Sequence, residues 1–234
     1  MMSSELLDVR DLAVKRDGFR LEVDDWHLKP GEVVGLVGPN GAGKTTLLEV
    51  LAGLRPATLG RVSVFGRDPW RDPSVRAELG FMSDDMPLFT VRIAELLRIL
   101  SGYYRTWDGE LVTELLDRFQ LDAKKKVTGL SKGQGTRLRL VVAMAFRPRV
   151  LLLDEPATGL DVAGRRSLLE SVLDVVCDPS RSVIVSSHML ADVQRIADRL
   201  VVLDEGRVVR HGPTSELIGD NRTLEEALVA WGAA

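Results

Sequence analysis

The chain has 234 residues, with 31 Lys and Arg against 34 Asp and Glu, for a formal net charge of −3. That near-balance argues against a dedicated nucleic-acid binder, which carries a basic excess. Apolar residues at 45% and charged residues at 28% are the proportions of a globular protein with a sizeable core, and they exclude disorder and collagen-like structure.

Residues 6–14 and 19–23 alternate in polarity like an antiparallel pair, joined by a polar turn over 15–18. Residues 32–37 read as a central strand apolar on both faces. They run into a glycine-rich loop and then a helix from about Lys44 to Leu51. Residues 62–65 and 80–82 look like further short strands. From Thr90 to Gln120 the texture turns helical, with Ile93, Leu96, Leu97 and Leu100, then Leu111, Leu115, Leu116 and Phe119, at helical spacing. A basic run, Lys124–Lys126, follows. Helix and strand then alternate: helix 132–145, strand 150–153, helix 162–176, strand 182–186, helix 190–197, and strands 200–203 and 207–210. In the tail, 222–234, Leu224, Ala227, Leu228 and Trp231 share one helical face. Alternation of this kind predicts an α/β core with a largely parallel sheet.

The single cysteine, Cys177, supports neither an intrachain disulfide nor a multi-cysteine metal site. The acidic, polar start, residues 1–10, carries no secretory pattern, so a reducing cytoplasm is expected. Apolar stretches such as 141–146 and 150–153 fall far short of the roughly 20 residues that cross a bilayer. A membrane role would have to come through a partner chain.

Gly38-Pro39-Asn40-Gly41-Ala42-Gly43-Lys44-Thr45, with Thr46 next, fits the P-loop spacing of glycine, four residues, then Gly-Lys-Thr. Glycines let the backbone curl closely around phosphates and aim successive N–H groups at them. The helix beginning at Lys44 adds the positive end of its dipole. Lys44 is the candidate to neutralise phosphate oxygens, and the Thr45 hydroxyl to hold Mg²⁺. The placement, after a buried strand and before a helix, is the one this chemistry requires.

Leu151-Leu152-Leu153-Asp154-Glu155-Pro156 is an apolar strand ending in two acids. Asp154 at the strand end can reach a Mg²⁺ shell. Glu155 faces another way and can polarise an attacking water as general base. Two adjacent acids with distinct roles suit hydrolysis better than phosphoryl transfer to a small molecule. An NKxD-type guanine-reading motif is missing, which weighs against a GTPase.

About twenty residues before Asp154 lies Leu130-Ser131-Lys132-Gly133-Gln134. Read alone it is a capped helix start, with Ser131 as N-cap and Gly133 leaving its N–H unobstructed, a feature that attracts anions. It also resembles the LSGGQ signature of ABC-type ATPases. Gly159-Leu160-Asp161 looks like that family's D-loop, and His188 in Ser186-Ser187-His188 like its switch histidine. The resemblance runs to about Gly212. It implies a P-loop NTPase fold with a mostly parallel core sheet, an antiparallel β subdomain and an inserted α-helical subdomain. It implies an ATPase domain over 1–220, the helical subdomain at about 86–145, and a short tail over 221–234. ATP and Mg²⁺ are the implied ligands, sandwiched between one subunit's P-loop and the partner's Ser131, Gly133 and Gln134. His188 would contact the γ-phosphate, and Asp161 would orient the dimer interface.

Three positions depart from the family pattern. Lys132 replaces the first signature glycine, and either adds positive charge near the partner-held phosphate or points into solvent. Asp84 stands where the family places a glutamine; it either meets Mg²⁺ or the catalytic water through another water, or belongs to a solvated acidic loop. The aromatic that stacks on adenine is missing, and Arg16, near Phe19, is the candidate to replace it by stacking its guanidinium plane on the base.

In the family, the helical segment with its preceding loop receives a coupling helix from an integral membrane transporter subunit. Met82, Met86, Leu88 and Phe89 are expected to supply an adaptable apolar surface there, with core packing the alternative for any one of them. Residues 85–88 and the lysine form of the signature look most like exporter-type subunits of the antibiotic-resistance and acetoin-utilisation kind. The expectation is the ATP-hydrolysing subunit of an ABC exporter, a homodimer or a heterodimer with a related ATPase, peripheral on the inner face of the cell membrane and binding no nucleic acid. The rivals are a soluble ABC-type ATPase working on ribosomes or DNA, and a small-molecule P-loop kinase.

Overall fold

The computed structural model describes residues 5–16, 18–84, 86, 89–219 and 223–231. Chain order is β1 (Leu7–Arg16), β2 (Phe19–Val23), β3 (Trp26–Leu28), β4 (Val33–Val37), α1 (Lys44–Leu51), β5 (Leu59–Val64) and β6 (Leu79–Met82). The helices α2 (Ile93–Ser101), α3 (Gly109–Arg118) and α4 (Lys132–Met144) follow. Then come β7 (Val150–Asp154), α5 (Val162–Val176), β8 (Ser182–Ser186), α6 (Leu190–Ile196), β9 (Arg199–Asp204), β10 (Arg207–Pro213), α7 (Thr214–Ile218) and α8 (Leu224–Ala230).

The strands form one sheet in the order β3-β1-β2-β10-β9-β4-β8-β7-β6, with β5 on β1. From β9 to β6 every neighbour pair is parallel, and β1 pairs antiparallel with β2, β3 and β5. The expected parallel core and antiparallel subdomain are both present. β10 joins them, antiparallel to β9 and parallel to β2.

β4, β7 and β8 are buried at every position, as strands covered on both faces must be. Their side chains divide by alternation. Leu152 and Ile184 enter a core shared with Leu7, Leu21 and Leu47 of the antiparallel strands and α1. Leu151, Leu153 and Val183 enter a second core with Ile93, Leu115, Phe119 and Leu138 of the helical insertion. A third cluster ties Leu224 and Leu228 of α8 to Val193 of α6 and Leu200. Gly35 has a packing role: a Cβ there would come within 2.2 Å of Val193 Cγ1, so its absence lets α6 lie on β4.

Met82 belongs to the core. Its side chain is 1% exposed, because β6 turns it into the second cluster, so the expected partner-facing surface loses this residue. Met86 and Phe89 are exposed. The expectations on Asp85, Pro87, Leu88, Arg222 and residues 232–234, like Asp17 in the first turn, lie outside the described residues. β3 and α7 were not anticipated; at three and five residues they are too short to show a period.

Among the described residues, no helix is long and apolar enough to cross a membrane.

Candidate nucleotide site

In an open parallel sheet, ligands bind outside the carboxyl ends of the strands. There the chain gathers the loop after β4, Asp154 and Glu155 after β7, and His188 after β8. Gly38 opens the cradle at φ +149°, and a Cβ on it would come within 2.0 Å of the Leu203 carbonyl oxygen. Only glycine lets the loop pass so close to β9. Gly43, at φ +104°, precedes α1 directly and lies against the Phe19 ring. The cradle is braced by Ala42 N–H donating to the Pro39 carbonyl (3.2 Å) and Gly206 N–H donating to that of Ala42 (3.2 Å).

Lys44 is buried, and its Nζ donates to the carbonyls of Gly38 (2.7 Å) and Pro39 (3.1 Å). Burial pushes its ammonium below the usual lysine range, against the opposing pull of the Glu155 and Asp154 carboxylates. Thr45, one residue on, donates from Oγ1 to Asp154 Oδ2 at 2.7 Å. The other Asp154 oxygen accepts from Ser186 Oγ at 2.6 Å. Ser186 is fully buried, lies opposite Asp154 in the β7–β8 register, and also accepts from Glu155 N–H at 3.0 Å. Its role was not foreseen, since it arises from that cross-strand register.

Glu155 adopts φ +48°, a left-handed conformation that costs a non-glycine residue about 1–3 kcal/mol and clusters at functional sites. The turn separates its side chain from that of Asp154. Oε2 lies 2.6 Å from His188 Nδ1 and accepts the His188 backbone N–H at 3.3 Å, while Oε1 lies 3.9 Å from Lys44 Nζ. One carboxylate thus bridges the histidine and the cradle lysine.

A cleft of about 430 Å³ opens above these groups, lined by Asn40, Gly41, Gly43, Lys44, Thr45 and Thr46, with Glu155 at one side and Arg16 and Phe19 also in its wall. Arg16, the candidate base platform, is thus brought to the same cleft as the cradle. Thr45 and Asp154 together offer a hydroxyl and a carboxylate to one point. Hard oxygen donors, few in number, fit Mg²⁺ that arrives with phosphates and waters. Among the described residues there is no group of three or more His, Cys, Asp or Glu that could hold a metal by itself. Asp84 is not brought to this cleft: Lys132 Nζ lies 3.0 Å from its Oδ2 and Arg139 Nη1 3.6 Å from its Oδ1.

The signature residues line a second cleft, of about 470 Å³, with Arg137, Gly159 and Asp161. The two clefts share no lining residue. Ser131 and Gln134 form a reciprocal capping box, each side chain taking the other's backbone N–H at 3.2 Å. Both side chains act there as acceptors, so the Ser131 hydroxyl keeps its proton and the Gln134 amide its N–H donors. A Cβ on Gly133 would come within 2.7 Å of the Gly159 carbonyl oxygen, so signature and D-loop abut. Asp161 caps α5 through Gly164 N–H (2.8 Å) and pairs with Arg137 of α4 (2.9 Å).

The family model described as ABC transporter matches residues 21–158, more than half of the chain. Nod factor export ATP-binding protein I of Neorhizobium galegae is 35% identical over 216 residues, covering 88% of this chain and 61% of its own length. Molybdenum import ATP-binding protein ModC of Albidiferax ferrireducens is 36% identical over 225 residues, covering 88% of this chain and 58% of its own. The chain thus spans about three-fifths of these two curated relatives. A solved ATP-binding subunit of an ABC transporter superposes with a TM-score of 0.86 at 26% identity, covering 97% of this chain and 99% of that one.

Proposed function

Since the chain belongs to the ABC transporter family, we propose that it binds and hydrolyses ATP and drives a separate membrane subunit by nucleotide-dependent closure of two ATPase subunits. The observation that carries this reading is the separation of the two clefts. The cradle, with Asp154 and Glu155 beside it, holds groups suited to bind phosphates and to polarise an attacking water. The Ser131 helix tip, built to receive an anion, faces a cleft of its own. A second copy, or a related chain, supplies the missing half of each site.

The residues divide the work. Cradle N–H groups and Lys44 bind and orient the phosphates, and Arg16 supports the base. Thr45 and Asp154 would hold Mg²⁺, which when bound supplies charge neutralisation at the phosphate oxygens. Ser186 fixes Asp154 by accepting one backbone proton and donating its own. Glu155 takes a proton from the attacking water. His188 orients that carboxylate and senses the γ-phosphate. The Ser131 tip of the opposing subunit excludes water and completes the charge cradle. Loss of the γ-phosphate removes the contact common to both subunits.

Export is the direction we propose, on the lysine form of the signature; relatives of like identity carry export and import in their names. The seat is the cytoplasmic face of the membrane, through the partner. Two measurements test the reading. Phosphate release from Mg-ATP by the purified chain needs no added acceptor; dependence on one would make it a kinase. Capture from native membranes brings down a multi-span protein; capture of ribosomes or DNA instead would refute the transport role.

A further inference from the structure

The two most conspicuous departures from the family's motifs are bonded to each other. Lys132, the first residue of α4, sets Nζ 3.0 Å from Asp84 Oδ2. Arg139, two turns along the same helix, approaches Asp84 Oδ1 at 3.6 Å and donates from Nε to the Met86 carbonyl at 2.9 Å. The stem of Lys132 lies beside Gly159, where a Cβ would be 3.2 Å from Lys132 Cγ.

This arrangement has an electrostatic consequence. A cation beside Ser131, at the positive end of α4, strengthens the field that draws an anion. Asp84 cancels that added charge from within the chain. A triphosphate brought to Ser131 by a partner therefore competes with Asp84 for Lys132. Arg139, only 16% exposed and 3.6 Å from Asp84 Oδ1, is a second cation for that carboxylate, so losing Lys132 would not strand it.

We propose that Asp84 is an internal competitor for Lys132: the pair forms in the lone subunit and parts on closure, and its strength sets how much ATP closure requires. This rests on the reading that the Ser131 tip receives the partner's nucleotide. The side chains are 61% and 36% exposed, and pairs so placed are worth less than a tenfold change in an equilibrium. That weakness suits a bias; a stronger pair would hold the subunit open.

The test uses the full chain carrying Glu155→Gln and follows its dimerisation by sedimentation over a Mg-ATP titration. Asp84→Asn is compared with Asp84, each with Lys132 and with Lys132→Gln. Asp84→Asn lowers the half-maximal ATP concentration about two- to fivefold when Lys132 is present. The shift vanishes in Lys132→Gln, returns in Lys132→Arg, and shrinks at high salt. An equal shift with and without Lys132, or an Asp84→Asn chain that needs more ATP, overturns the proposal and leaves the nucleotide-sandwich reading intact. A Glu155→Gln chain that stays monomeric at every ATP concentration, even with its membrane partner supplied, overturns both.

Discussion

Glu155 Oε2 and His188 Nδ1 lie 2.6 Å apart, so the acid that follows β7 is steered by the histidine that follows β8. Its other oxygen faces Lys44 at 3.9 Å, which leaves the carboxylate between His188 and the glycine-rich loop. Glu155→Gln keeps size and polarity but cannot accept the water's proton. The expected result is ATP binding close to that of the native chain with turnover reduced about 10²–10⁴-fold. Phosphate release under saturating ATP measures it, and unchanged turnover would remove Glu155 from the base role.

Gly133→Ala places a methyl 2.7 Å from the Gly159 carbonyl oxygen, a backbone atom that moves only with its loop. Overpacking of this kind costs about 1–3 kcal/mol, a fall in Tm of several degrees for a domain of this size, at roughly 2–4 °C per kcal/mol. Gly129→Ala is the control, since nothing lies within 4 Å of its Cβ. Thermal unfolding of the two variants separates them, and equal Tm values would show that signature and D-loop do not abut.

Asp108 caps α3 by accepting Leu111 N–H at 2.9 Å and pairs with Arg147. That backbone hydrogen bond first, and the Arg147 guanidinium next, hold its carboxyl below the usual range. A carboxyl lower in the folded than in the unfolded chain stabilises fully above its unfolded value, near 3.9. The contribution drains away as pH falls through the lowered folded value. Asp108→Ala therefore costs about 1 kcal/mol at neutral pH, and the gap to the native chain closes below about pH 4. Urea unfolding across that window checks the sign; a gap that widens on acidification would contradict it.

The bounds of α5 and β8 were legible to the residue and those of α1 approximately, because each is a periodic or continuous apolar run with an abrupt stop, as at the glycines before Lys44 and at Ser186 before Ser187-His188. The loop before Lys44 and the Asp154-Glu155 pair could be singled out because their chemistry fixes residue types at short spacings, and the structure brings them to one cleft; residues 130–134 read only as a capped helix start until the family resemblance was added. What escaped depends on distant pairing. Ser186 matters only through its register opposite Asp154. Asp84 and Lys132 are far apart in the chain and meet only once α4 packs on β6. Met82 reads as readily as surface or core until β6 has neighbours on both faces.

The central claim, that a triphosphate clasps two subunits between the Lys44 cradle and the opposing Ser131, is tested most directly by sedimentation of the Glu155→Gln chain with and without Mg-ATP. The account predicts a dimer with ATP, a monomer without it, and a Ser131→Arg form that binds ATP as a monomer but no longer pairs. A Glu155→Gln chain that remains monomeric in ATP even with its membrane partner, or a Ser131→Arg monomer that loses ATP itself, would contradict it.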